Sequence, residues 1–85
     1  MSAVESEQIR QVLRDHAQLA VDVDSMDDGA DLFQAGMNSH ASVNVMLALE
    51  AGFDIEFPDS MLTRSVFESV AAIHAAVRKL RAEAA

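Results

Sequence analysis

Apolar residues return at intervals of three and four in three separate stretches of this 85-residue chain, and that spacing narrows what it can fold into. From Glu5 to Ala20 the recurring positions are Ile9, Val12, Leu13, His16 and Leu19, which share one face of a helix. From Ser65 to Ala82 they are Val66, Val70, Ile73, Val77 and Leu80. Between these stretches, a helix opened by Asn38 or Ser39 and running to Ala51 carries Val43, Met46, Leu47 and Glu50 at the same spacing. Val45 and Leu49 make it apolar beyond one stripe, so burial on more than one side is expected. Helices with apolar stripes bury them against one another.

The punctuation between them is equally readable. Asp, Ser and Gly dominate from Val21 to Gly36, as a loop requires, and Ala30-Asp31-Leu32-Phe33 reads as one turn pinned to the core by Leu32 and Phe33. Gly52 is expected to stop the second helix. Phe53-Asp54-Ile55-Glu56-Phe57 alternates, but a lone strand has no partner, so an extended segment is expected. Pro58 and Asp59 open a short helix over Asp59–Leu62. The expected fold is all-α: one domain over residues 1–85, a four-helix bundle of three longer helices and one short one.

Composition excludes several functions. There is no cysteine, hence no disulfide, thiolate metal site or protein-borne thiol nucleophile. A net charge of −8 argues against nucleic acid and favours basic partner proteins. Every Lys and Arg lies at or before Arg14 or at or after Arg64, so the middle of the chain presents one sign of charge. The start, Met1-Ser2-Ala3-Val4-Glu5, has no basic flank or apolar core of a signal peptide, and no run approaches the ~18 apolar residues of a membrane span. The cytosol is the expected compartment. His16, His40 and His74 lack zinc-site spacing, and the acidic loop from Asp22 places Met26 and Asp27 where a calcium loop needs a ligand and a glycine. No metal site is expected.

Two readings of Ser39 carry chemistry. Adjacent helical residues diverge by about 100°, so Ser39-His40 is a poor nucleophile–base couple, and Gly36-Met37-Asn38-Ser39-His40 is not a nucleophile elbow. An enzyme is therefore not expected. Alternatively, a serine at a helix start after a glycine turn holds its hydroxyl out of the core, where an esterified phosphate meets free amides and the positive dipole end. On the residues alone, a simple helix cap explains Ser39 as well.

The run Asp31-Leu32-Phe33-Gln34-Ala35-Gly36-Met37-Asn38-Ser39-His40-Ala41-Ser42-Val43 resembles the acyl carrier protein signature. Met46-Leu47-Ala48-Leu49-Glu50, followed by Phe53-Asp54-Ile55-Glu56-Phe57-Pro58-Asp59, resembles that family's next segment, and the likeness spans nearly the whole chain. The resemblance implies an acyl-carrier-protein-like four-helix bundle. It also implies a covalent 4′-phosphopantetheine on Ser39, attached by a phosphopantetheinyl transferase, whose thiol holds an acyl or aminoacyl group as a thioester. An ATP-dependent amino acid or acyl ligase, or a transferase, would load it.

Departures from the signature point to a dedicated partner. Asn38 stands for the usual Asp and His40 for the usual Leu, while Ala41 and Asn44 occupy positions where fatty-acid carriers usually have acids. The helix is nearly uncharged before Glu50. Met37, Asn38, His40, Val43 and Asn44 are the expected docking residues. The departures resemble free-standing aminoacyl carriers or specialised short-acyl carriers. The alternatives are a conventional fatty-acid or polyketide carrier and an unmodified acidic helical interaction domain.

Overall fold

Ile9, Leu13 and Ala17 follow one another every fourth residue and are all but fully buried, and the bundle is built on this stripe. The computed structural model describes residues Ser2–Ala84. Its helices are α1 (Ser2–His16), α2 (Ser39–Phe53), α3 (Arg64–Phe67) and α4 (Val70–Ala84), with 3-10 turns at Val23–Ser25 and Asp59–Met61. There is no strand among the described residues, and the fold is all-α. Helix α1 packs against α2 and α4, and α3 against α4. Val45 and Leu49 from α2, and Val70, Ile73 and Val77 from α4, close one core around Ile9 and Leu13. Truncating such a leucine or isoleucine to alanine costs roughly 2–5 kcal/mol.

The boundaries depart from the sequence expectation in four places. Helix α1 stops at His16 rather than Ala20, because Gln18 is left-handed at φ 57° and the Ala20 amide donates to the Ala35 carbonyl at 2.9 Å. His16 is accordingly exposed, and Ala17 takes the buried place assigned to it. Gly52 does not end α2. The helix runs on to Phe53, and Asp54 adopts the left-handed cap at φ 55°, its amide donating to the Glu50 carbonyl.

The last two departures concern the C-terminal half. The segment 59–62 forms a 3-10 turn over Asp59–Met61, and the short α-helix is α3 instead. The helix expected from Ser65 onward is broken after Phe67, where the Glu68 carbonyl accepts the Leu32 amide at 2.7 Å. Buried Ser69 then accepts the Ala72 amide through its hydroxyl at 3.0 Å, and α4 starts afresh. The Ala71 amide also donates to the Asp28 carbonyl at 2.9 Å. The long loop is thus stitched to the α3–α4 junction at two points, which places Leu32 in the core and Phe33 at its edge.

The acidic middle is less uniform than its sequence. Arg10 pairs with Asp28 at 2.6 Å and donates to the Val23 carbonyl, while Arg14 bridges Glu7 and Asp24. The Glu50 carboxylate accepts the Phe57 amide at 2.8 Å and pins the extended segment after α2. Phe57 then meets Phe67 in a tilted ring pair with centroids 5.2 Å apart.

Candidate functional site: the start of helix α2

Gly36 sets up the site. Its φ of +122° suits glycine, and a side chain there would bring a carbon within 3.2 Å of the Ala20 amide nitrogen. The chain can therefore turn tightly against the end of α1, bury Met37 and enter α2 through Asn38. Asn38 is extended, and its side-chain oxygen accepts the Ala41 amide at 2.7 Å. The cap of α2 is Asn38, so Ser39 is not needed for that task.

Ser39 is the first helical residue and is exposed. Its hydroxyl makes no hydrogen bond among the described residues, whereas the Ser42 hydroxyl donates to the Ser39 carbonyl at 2.7 Å. The amides of Ser39 and His40 have no intrahelical acceptor, because they belong to the first turn. An anion esterified to Ser39 would meet those donors at the positive end of a 15-residue helix. Beside it lies a groove of about 290 Å³ between α2 and the 62–67 segment. Val43, Met46, Leu62, Phe33 and Phe67 make its apolar walls, and Arg64 is its basic side chain. A free hydroxyl, free amides and a mostly apolar groove fit a phosphodiester-linked arm with amide and methylene units.

The residues expected to dock a partner are separated by the fold. Met37 is only 2% exposed and packs in the core, so it offers no surface contact. Asn38 is exposed with its side-chain oxygen committed to the cap. His40 is exposed, Asn44 is half-buried, and Val43 is 51% exposed. Ala41, read as the site of a missing acid, is buried, so a carboxylate there would enter the core.

Sequence reasoning missed Leu47 and Leu62, which are 53% and 45% exposed. Leu47 was detectable: with Ala41, Val45 and Leu49 inward, Val43 and Leu47 fall one turn apart on the outer surface. Leu62, which reaches the groove from a different element, had no such signal.

A small helical bundle with a free, exposed serine at a helix start and an adjoining groove is the arrangement of a carrier. Residues 7–77 match the family described as "Phosphopantetheine attachment site", and the chain belongs to it. Membership implies a covalent 4′-phosphopantetheine. The chain is 49% identical over 70 residues to an aminoacyl carrier protein of Agrobacterium fabrum (strain C58 / ATCC 33970), spanning 82% of this chain and 84% of that one.

Among the similar solved structures are two ligase complexes. One is the crystal structure of an engineered Bradyrhizobium japonicum glycine:carrier protein ligase complexed with a carrier protein from Agrobacterium tumefaciens and ATP. The match there has a TM-score of 0.84 at 46% identity, covering 87% of this chain and 96% of the matched one. The other is the Bradyrhizobium japonicum glycine:carrier protein ligase complexed with a glycylated carrier protein. It matches with a TM-score of 0.73 at 32% identity, covering 85% and 96%.

Proposed function

We propose that this chain is an aminoacyl carrier whose phosphopantetheine is attached at Ser39 and loaded by an ATP-dependent amino acid:carrier ligase. The observation that carries the proposal is the division of labour at the start of α2, where Asn38 caps the helix and leaves the Ser39 hydroxyl exposed and unengaged. The bound group supplies the thiol that a cysteine-free chain lacks, and an amino acid rides on it as a thioester. The relatives found with a glycine:carrier protein ligase, one of them glycylated, support glycine, or a similarly small amino acid, as the cargo.

The chain's own residues orient and present. Asn38 fixes the first turn, Gly36 lets the loop close against α1, and the α2 amides stabilise the ester's negative charge. His40, Val43, Asn44 and Leu47 lie beside the attachment point as a docking surface with no acidic member. A phosphopantetheinyl transferase installs the arm and a cytosolic ligase loads it.

A conventional fatty-acid carrier fits less well. No acid stands in the first turn of α2, and Glu50 is turned to the Phe57 amide. Intact mass after treatment with a broad-specificity transferase and coenzyme A, then with ATP, glycine and the ligase, tests the reading. One arm and then one hydroxylamine-labile glycyl group are expected on wild type, and neither on Ser39→Ala. An arm on Ser39→Ala would overturn the assignment, and a holo chain that takes acyl groups but no amino acid would overturn the cargo class.

A further inference from the structure

Five of the six basic residues of this chain are Arg10, Arg14, Arg78, Lys79 and Arg81, and none of them lines the groove beside Ser39. Arg64 does. It is the first residue of α3, and its guanidinium lies 4.2 Å from the centroid of the Phe33 ring. Arg10, Arg14 and Arg81 are each paired with a carboxylate: Asp28, Glu7 with Asp24, and Glu5. Arg64 has no carboxylate within 4.0 Å among the described residues. Arg78 and Lys79 likewise form no ion pair among the described residues, so what sets Arg64 apart is its place in the groove and its stack on Phe33.

Resting on the attachment reading above, we infer that Arg64 is an arm-positioning residue: it pairs with the phosphodiester at Ser39 and holds the base of the arm on the groove side of α2. Stacking on Phe33 fixes the plane of the guanidinium before any anion arrives, which lowers the entropy lost on binding. A planar fork of N–H donors matches phosphate oxygens, and charge-assisted bonds of this type are stronger than neutral ones. Lysine would keep the charge but lose both the stacking and the fork. Neither His40 nor Leu47 lines the groove, so an arm drawn to Arg64 leaves that part of the docking surface open to an incoming enzyme.

Nuclear magnetic resonance of the full chain in apo and holo forms tests the inference without any loading reaction. Attachment of the arm should move the Arg64 side-chain Nε–H resonance. Arg64→Ala should move the phosphorus resonance of the holo protein, Arg64→Lys should move it less, and Lys79→Ala, which removes an equal charge outside the groove, should leave it in place. A coincident Arg64 resonance in apo and holo forms overturns the inference. So does a phosphorus line that Arg64→Ala and Lys79→Ala leave equally unmoved. A chain that gains no arm by mass overturns the attachment reading and this inference with it, whereas a chain that gains the arm but fails either resonance criterion overturns only the role of Arg64.

Discussion

The side-chain oxygen of Asn38 accepts the amide of Ala41 at 2.7 Å, so the residue that caps α2 stands immediately before the serine whose hydroxyl is left free. Capping and attachment require opposite things of a hydroxyl. A capping oxygen points back at the helix amides and is held there, whereas a hydroxyl to be esterified has to reach an enzyme. With attachment at Ser39 as proposed, placing the tasks on neighbouring residues lets α2 start at a fixed point without using that hydroxyl.

That separation predicts how the two positions respond to mutation. Ser39→Ala should abolish attachment of the arm and leave stability within a few tenths of a kcal/mol, as an exposed surface substitution does. Asn38→Ala should cost about 1 kcal/mol through the lost cap, and Asn38→Asp should retain most of it. Urea denaturation of the apo proteins, with intact mass after transferase treatment, reads both. Equal destabilisation by Ser39→Ala and Asn38→Ala would place the cap on the wrong residue.

Ser69 gives a second stability prediction. Its hydroxyl accepts the Ala72 amide at 3.0 Å and it is only 9% exposed, so Ser69→Ala should cost about 1 kcal/mol as a lost α4 cap. Ser65→Ala, at an exposed position in α3, should cost much less. Thermal unfolding of the two variants separates them, and an unchanged midpoint for Ser69→Ala would argue that α3 and α4 behave as one helix.

That break also shows where sequence reading stops. The four-three spacing of Val70, Ile73, Val77 and Leu80 was legible because each residue reports on its own helix. The interruption at Glu68 was not, because its cause is the amide of Leu32, far away in the chain. Ala17, four residues after Leu13, is the buried residue in place of His16, and a small residue contributes little to an apolar pattern. Met37 was misplaced because a single apolar residue before a cap has no periodicity to say which way it faces. The place of Ser39 at the start of a helix was legible from its motif, while the Phe33–Arg64 stack beside it joins two distant segments and leaves no local signature.

The two ends of the chain are joined by a charged cluster, and it makes stability depend on pH. His74 Nε2 lies 3.0 Å from Glu5 Oε1, and Arg81 Nη1 lies 2.9 Å from Glu5 Oε2. The His74 hydrogen bond, and then the Arg81 charge, hold the Glu5 carboxyl below its ordinary value of 4.5 against the opposing effect of burial. A lowered folded-state pKa means that the unfolded chain takes up the proton first on acidification. The contribution of Glu5 is therefore fully present above its unfolded value of 4.5 and is lost as pH falls through the lower folded value. Chemical denaturation as a function of pH should show wild type losing more stability than Glu5→Gln below that value, with the two curves converging. Parallel curves throughout would show that the cluster contributes no pH-dependent stability.

Partner choice follows from the outer surface of α2. Val43 and Leu47 are each about half exposed and lie one turn apart, with no acid in the first turn and the only later one, Glu50, held by the Phe57 amide. Contacts made by apolar groups depend little on ionic strength, whereas steering by charge falls steeply with it. Loading by the cognate ligase should therefore change little as salt is added. Leu47→Asp should raise the KM for the carrier about tenfold, the size expected when an interface loses 1–2 kcal/mol, without altering the apo fold by circular dichroism. Asn44→Glu, at a half-buried position on the same helix, should weaken the cognate pairing and improve use by enzymes that read acidic carriers. Ala41→Asp is unsuitable for that purpose, because residue 41 is buried and the change would unfold the start of α2 rather than decorate it. Steady-state loading against salt for wild type, Leu47→Asp and Asn44→Glu decides the matter. A steep salt dependence in wild type, with Leu47→Asp loaded normally, would move the docking surface away from α2 and toward the acidic residues of the 22–31 loop.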